Sequence, residues 1–234
     1  MVGPRGLQGS RNRSELGESS RVIADLVAEF YARVVPKYAR GSLLDLGCGK
    51  APLYGLYRPY VDNVTCVDWT NSPHENPNLD LAHDLNAPLP FESGTFGTVI
   101  LSDVLEHIRR PSDLMVEISR VLVSKGTLLM NVPFFYRLHE EPYDYYRYTR
   151  YSLEYLTTYS GMKPMEITPI GGLPEIVGDI VSKSLIGIPY AGQMMAASGQ
   201  GLTSAFVRTK AGHYLSLKTR EPFPFGYVMV ATKP

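Results

Sequence analysis

Cysteine is nearly absent. Only Cys48 and Cys66 occur among the 234 residues, too few for a disulfide framework. Each lies in or beside an apolar run that reads as a strand end, where a reduced thiol packs as a small hydrophobe. A cytoplasmic location is the default that follows. Neither sign of charge is in excess, since Lys plus Arg and Asp plus Glu number 23 each. A neutral chain lacks the electrostatic footprint for wrapping nucleic acid, so no nucleic-acid partner is expected. Long apolar runs are missing as well. None approaches the ~20 residues of a spanning helix, and the first residues contain no apolar stretch of signal-peptide type.

What is present is ordinary for a globular protein: 44% hydrophobic and 20% charged residues. The length suits one α/β domain. Residues 1 to 18, rich in Gly, Ser and Arg without periodicity, read as a mobile tail, and residues 19 to 234 as the domain. From Ser20, apolar residues recur at helical spacing (Val22, Ile23, Leu26, Val27, Phe30, Tyr31, Val34), with Ser20 as the expected cap and Pro36 as the expected end. Strand-like runs follow at Ser42 to Leu46, Val64 to Val67, Thr98 to Leu101 and Thr127 to Val132. Leu114 to Leu122 reads as a helix closed by Gly126, and Ser152 to Tyr159 as a helix capped by Ser152. Met165 to Ile170 and Gly226 to Ala231 read as two further strands. Alternating β and α units predict a parallel sheet covered by helices on both faces. The irregular stretch from Leu173 to residue 220, rich in Gly, Met and Ala, is expected to cap a pocket as an insertion, or to form a homodimer contact.

The first strand ends in Asp45-Leu46-Gly47-Cys48-Gly49. Glycine lets a backbone turn tightly and come close to a ligand, and ligands of parallel sheets bind at the C-terminal strand ends. Nicotinamide fingerprints place a third glycine three residues after the second, but here Pro52 stands at that position. At the end of the second strand, Asp68 can accept both ribose hydroxyls through charge-assisted bonds. Trp69, the sole tryptophan, has a face suited to adenine. In the segment His83-Asp84-Leu85, Asp84 can accept from an adenine amino group and Leu85 offers a backbone N–H.

Those segments resemble class I S-adenosylmethionine-dependent methyltransferases of the broad small-molecule subgroup. The likeness runs through Leu43 to Gly49, Asp68, His83-Asp84-Leu85 and Pro90-Phe91-Glu92-Ser93-Gly94-Thr95-Phe96. It continues in Ser102-Asp103-Val104-Leu105-Glu106-His107-Ile108, Glu117 to Leu122 and Lys125-Gly126-Thr127-Leu128. It implies a Rossmann-like, doubly wound, mostly parallel seven-stranded sheet and S-adenosyl-L-methionine as cofactor. Asp45, Gly47 and Gly49 would border its methionine part, Asp68 its ribose, Asp84 and Leu85 its adenine, and Ser102 the sulfonium. Lys50 stands where the family often has a small residue.

Methyl transfer from a sulfonium is a direct displacement that needs alignment more than a catalytic triad. Two clusters can serve an acceptor. If a helix begins near Asp103, then Asp103, Glu106 and His107 share one face. Some relatives use an Asp/Glu-x-x-Glu-His pattern for a divalent metal in O-methylation; Leu-Glu-His is also common in relatives without one, and no metal is assigned. The second cluster is Asn131-Val132-Pro133 and then His139-Glu140-Glu141-Pro142-Tyr143-Asp144-Tyr145-Tyr146-Arg147-Tyr148-Thr149, after a strand end, in which His139 has the ordinary pKa of a neutral-pH base. Glu106, His107 and His139 are therefore the candidate catalytic residues. The 16 tyrosines suit a polar ring or sugar-like acceptor. The expected activity is methyl transfer to a small molecule, at oxygen rather than nitrogen or carbon, with an acceptor from a carbohydrate or natural-product pathway. A non-catalytic binding module and a nicotinamide-dependent oxidoreductase are the alternatives.

Overall fold

The computed structural model describes residues 2–3, 6–10, 12, 17–69 and 78–234. Eight of the 18 residues of the expected tail, and His74, lie outside these residues. Two compact units are present. One comprises Met1–Phe30, Phe134–Tyr136 and Pro169–Gly226; the other comprises Tyr31–Pro133, Arg137–Thr168 and Tyr227–Pro234.

In chain order the elements begin with an antiparallel pair, β1 (Val2–Gly3) and β2 (Gly6–Leu7), then α1 (Arg21–Tyr38). There follow β3 (Ser42–Leu46), α2 (Tyr54–Tyr57), β4 (Asn63–Asp68), β5 (Leu81–Ala82) and β6 (Phe96–Ser102). Next come α3 (Pro111–Val121), β7 (Leu122–Pro133), α4 (Arg150–Tyr159) and β8 (Lys163–Ile170). The chain closes with α5 (Leu173–Leu185), α6 (Gly192–Arg208), α7 (Lys210–Thr219) and β9 (Gly226–Thr232).

The seven-stranded sheet has the order β5-β4-β3-β6-β7-β9-β8. From β5 to β7 it is parallel. β9 enters between β7 and β8, and it opposes β7: Lys125 near the start of β7 donates to the Lys233 carbonyl just past the end of β9, and Lys233 donates back to Gly126. The fold is thus the expected Rossmann-like, doubly wound α/β architecture with helices on both faces of a mostly parallel sheet. Its strands are apolar because both faces are covered: Leu43, Leu44 and Leu46 of β3, and Val99, Ile100 and Leu101 of β6, are all fully buried. Strand order reverses at β3, with β4 to one side and β6 to the other. Such a switch point opens a crevice beyond the C-terminal ends of the strands.

Several boundaries differ from expectation. α1 carries Pro36 inside its last turn. A proline removes only one hydrogen bond there, and fully buried Val34 and Val35 hold the turn in place. Ser20 belongs to a 3-10 turn before α1. Gly126 does not close α3, because β7 begins at once with Leu122 and runs through it. Thr149, not Ser152, caps α4, its side-chain oxygen accepting from the Ser152 N–H.

The irregular stretch of residues 173–219, of which Leu173 to Gly201 reads as partly helical, forms three helices. In the unit that holds them, α5 and α6 meet at Gly178. A Cβ there would sit 2.0 Å from Thr203 Oγ1 and 2.8 Å from its Cβ. A Gly178→Ala chain is expected to lose about 1–3 kcal/mol as the helices part. The reading is a lower denaturation midpoint; an unchanged midpoint would show that α6 yields freely.

Candidate active site

Parallel pairing puts the C-terminal ends of β3, β4, β6 and β7 along one edge. Leu46 is level with Val67 and Leu101, and Ser102 is level with Asn131. Asp45, the glycine turn, Asp68, Ser102 and Asn131 therefore share that edge.

The turn after β3 is built on positive φ angles, +67° at Gly47 and +51° at Gly49. Its amides are tied to β4: Gly47 and Cys48 both donate to the Val67 carbonyl. Gly49 donates to Asp68 Oδ2 at 3.1 Å, and Trp69 to Asp68 Oδ1 at 2.8 Å. A carboxylate offers about four lone-pair sites, so Asp68 keeps acceptor capacity for two further donors. Trp69 is half-buried with its ring edge-to-face against Tyr143. Asp84 is exposed; its Oδ1 accepts from the Asn86 N–H and side-chain amide. Those bonds hold its carboxyl below the usual range, the Asn86 N–H being the main cause. Leu85 is buried.

Asp45 is only 4% exposed and accepts from the Tyr57 hydroxyl at 2.8 Å. Burial pushes its pKa up to about 6; the Tyr57 bond opposes this and the Asp68 charge adds to it. Tyr57 is the functional neighbour that sequence reasoning missed, since a tyrosine in a four-residue helix has no periodic signal. Asn131, expected as part of the second cluster, accepts from two hydroxyls. Its Oδ1 accepts from Ser102 Oγ at 2.7 Å and from the buried Tyr31 hydroxyl at 3.0 Å. Cys48 and Cys66 are buried thiols outside any disulfide, as expected.

The helix expected from Asp103 is absent. Asp103 has φ +52° and is exposed, and only Leu105–His107 make a 3-10 turn. Left-handed backbone cannot start an α-helix, so Asp103, Glu106 and His107 do not form a helical face. The structure instead brings Glu106 and His107 to His139, 32 residues on. The two imidazole rings meet edge-to-face with centroids 4.7 Å apart. Nε2 of His107 and Nε2 of His139 lie 3.8 and 3.7 Å from Glu106 Oε1.

Glu106 is fully buried, and the Tyr145 and Tyr146 amides clamp its backbone carbonyl. The Tyr148 hydroxyl donates to the carbonyl of Leu105 next to it. His107 Nδ1 is 3.0 Å from the Tyr143 carbonyl. A carbonyl only accepts, so that nitrogen carries the proton. His139 Nδ1 faces Asp144 Oδ2 at 3.2 Å, and its backbone N–H donates to the same oxygen at 3.0 Å. Asp144 is gripped by Arg147 through bonds of 2.5 and 2.7 Å. Burial pulls the His139 pKa down, but the Glu106 carboxylate and then Asp144 outweigh it, and the net shift is upward.

Compared with known families, residues 44–130 match the profile described as "Methyltransferase domain". Over residues 44–130 the chain carries a methyltransferase domain, as its likeness to the class I S-adenosylmethionine-dependent methyltransferases implied. No curated protein sequence matches it. Among solved structures, a protein of Bacillus halodurans assigned as a methyltransferase is 16% identical, with a TM-score of 0.56 over 89% of this chain and 98% of that one. A protein of Galdieria sulphuraria assigned as a sarcosine dimethylglycine methyltransferase is also 16% identical, with a TM-score of 0.56 over 91% and 86%. Phosphoethanolamine N-methyltransferase 2 of Haemonchus contortus, in complex with S-adenosyl-L-methionine, is 16% identical, with a TM-score of 0.58 over 89% of this chain and 52% of that one. At such identities the likeness is one of fold.

The methyltransferase cofactor, S-adenosyl-L-methionine, fits the donor set at this edge. Asp68 has spare acceptor sites for ribose hydroxyls, and Asp45 and Asp68 place two carboxylates where a cationic ligand would lower their mutual repulsion. No helix among the described residues of the methyltransferase is long and apolar enough to cross a membrane.

Proposed function

We propose that the methyltransferase moves a methyl group from S-adenosyl-L-methionine to an oxygen of a small-molecule acceptor. The observation that carries this reading is the set Glu106, His107 and His139, three ionisable side chains gathered just beyond Ser102. In the same reading Asp68 holds ribose, Asp84 and Leu85 receive adenine, and Trp69 lies against it. Asp45, Gly47, Gly49 and Ser102 border the methionine and sulfonium end. The cofactor supplies the reactive methyl on sulfur. The chain's part is alignment, and at the acceptor side, control of a proton on oxygen. Carboxylate and imidazole suit a hydroxyl acceptor better than a carbon one. Zero net charge speaks for a small acceptor rather than nucleic acid.

Labelled-methyl transfer against phenols, sugars and acids tests it, with calorimetry for the cofactor. A methyl ether or ester product is expected. Asp68→Ala is expected to weaken cofactor binding at least ~10-fold, as the loss of a charged hydrogen-bond partner implies. A methylated amine as the sole product overturns the oxygen assignment. Absence of heat with both S-adenosylmethionine and S-adenosylhomocysteine overturns the whole reading.

A further inference from the structure

We infer that Glu106, His107 and His139 form a binding site for one divalent first-row transition-metal ion. The first ground is a missing partner. Both Glu106 carboxylate oxygens and His107 Nε2 are buried with no hydrogen-bond partner. A fully buried carboxylate without a donor is costly, and burial of this kind is usually relieved by pairing or by a metal.

The second ground is convergence. One ligand atom from each of the three side chains lies within 4.8 Å of the other two. Two ligands ~2.1 Å from one ion at a tetrahedral angle stand ~3.4 Å apart. The observed 3.7 and 3.8 Å between Glu106 Oε1 and the two Nε2 atoms are within a few tenths of an ångström of that.

The third ground is the outer shell. A metal-bound histidine commonly directs its other ring nitrogen at a carbonyl or carboxylate. His107 Nδ1 meets the Tyr143 carbonyl, and His139 Nδ1 lies 3.2 Å from Asp144 Oδ2 in ion-pair rather than hydrogen-bond geometry, Asp144 itself being held by Arg147. Both rings are therefore turned so that Nε2 points at Glu106. Asp103 and Glu140 bring two more carboxylates to the rim; Glu140 Oε2 lies 3.9 Å from His107 Nε2.

Two imidazoles and one carboxylate favour Zn²⁺, Co²⁺, Fe²⁺ or Mn²⁺ over Mg²⁺, which prefers oxygen ligands. Such a site leaves coordination positions open to an oxygen of the acceptor. That role rests on the methyl-transfer reading; binding of the ion does not.

The test uses the full chain, stripped with a chelator and titrated with Zn²⁺ by calorimetry, and with Co²⁺ by visible absorption. One equivalent is expected to bind, with d–d bands from Co²⁺ and a higher Tm in the presence of Zn²⁺. Asp144→Asn is expected to weaken binding about 10–100-fold, as for an outer-shell partner. Glu106→Gln, His107→Gln and His139→Gln are expected to weaken it further, each checked for native circular dichroism. His213→Ala, an exposed histidine elsewhere, is expected to bind as wild type. Should Glu106→Gln fail to fold, the two histidine variants decide the question alone. Wild-type chain that takes up no Zn²⁺ or Co²⁺ overturns the proposal and leaves a histidine–glutamate ion pair. So does binding that survives both His107→Gln and His139→Gln. Cofactor binding by a chain that takes up no metal separates failure of this site from failure of the methyl-transfer reading.

Discussion

Gly47→Val is expected to abolish cofactor binding and to cost a large share of the fold's stability. Two effects add at this position. Gly47 has φ +67°, a region that costs a residue bearing a Cβ roughly 1–2 kcal/mol. A Cβ would also lie 2.4 Å from Val104 Cγ2 and 3.0 Å from Cγ1, well inside the ~3.5–4.0 Å of normal carbon contact. Overpacking of this kind typically costs about 1–3 kcal/mol. Together that is about 2–5 kcal/mol, against a typical total of about 5–15. Relief by movement would shift the turn that Gly47, Cys48 and Gly49 make with Val67 and Asp68, and so displace the Asp68 carboxylate. The smaller change Gly47→Ala separates the two effects. Combined with Val104→Ala it should recover the steric part, about 1–3 kcal/mol, and leave the backbone part. Urea denaturation of the four chains measures this, and calorimetry with S-adenosylmethionine measures the site. A Gly47→Ala chain with the wild-type midpoint would refute the account.

That turn was legible because its signals are local. A strand of leucines, an acid and two glycines lie within seven residues, and each has one dominant physical reading. The sheet was legible for a similar reason, since strands buried on both faces are short apolar runs. The acceptor side was only half legible. Glu106 and His107 stood out as ionisable residues after a strand, yet the α-helical spacing assumed for them failed at Asp103, whose left-handed backbone starts no helix. His139 could be placed at the sheet edge by its position after β7, but no periodicity relates residue 139 to residue 106. The clamp that joins them runs through backbone atoms, the Tyr145 and Tyr146 amides on the Glu106 carbonyl, and backbone partners leave no trace in side-chain pattern. Asp144 and Arg147 lie three residues apart with opposite charges and pair directly. Their use as the support of His139 required coordinates. Tyr57 was invisible: nothing in the sequence marks it as the donor to Asp45.

The Asp45–Tyr57 pair carries the second large effect. The Asp45 pKa rises from 3.8 to about 6 in the folded chain, mainly through burial. Between about pH 4 and pH 6 the native state therefore binds more protons than the unfolded chain, and stability must fall as pH rises through that window. Below about pH 4 both states are protonated and the cost vanishes; above about pH 6 it is fully present. At ~1.4 kcal/mol per pKa unit, the full cost is about 3 kcal/mol. Asn keeps an oxygen to accept from Tyr57 and carries no charge. Asp45→Asn should thus match wild type near pH 4 and exceed it by up to about 3 kcal/mol at pH 7, with the difference opening between those values. Urea midpoints of both chains measured from pH 4 to pH 7 test this, and the other carboxylates cancel in the difference. Parallel curves would mean that Asp45 is not a buried anion at neutral pH. A carboxylate this costly is explained by a cationic ligand, whose charge lowers the Asp45 pKa. Saturating S-adenosylmethionine should then move the wild-type window to lower pH and narrow its gap from Asp45→Asn, whereas S-adenosylhomocysteine, lacking the sulfonium charge, should move it less.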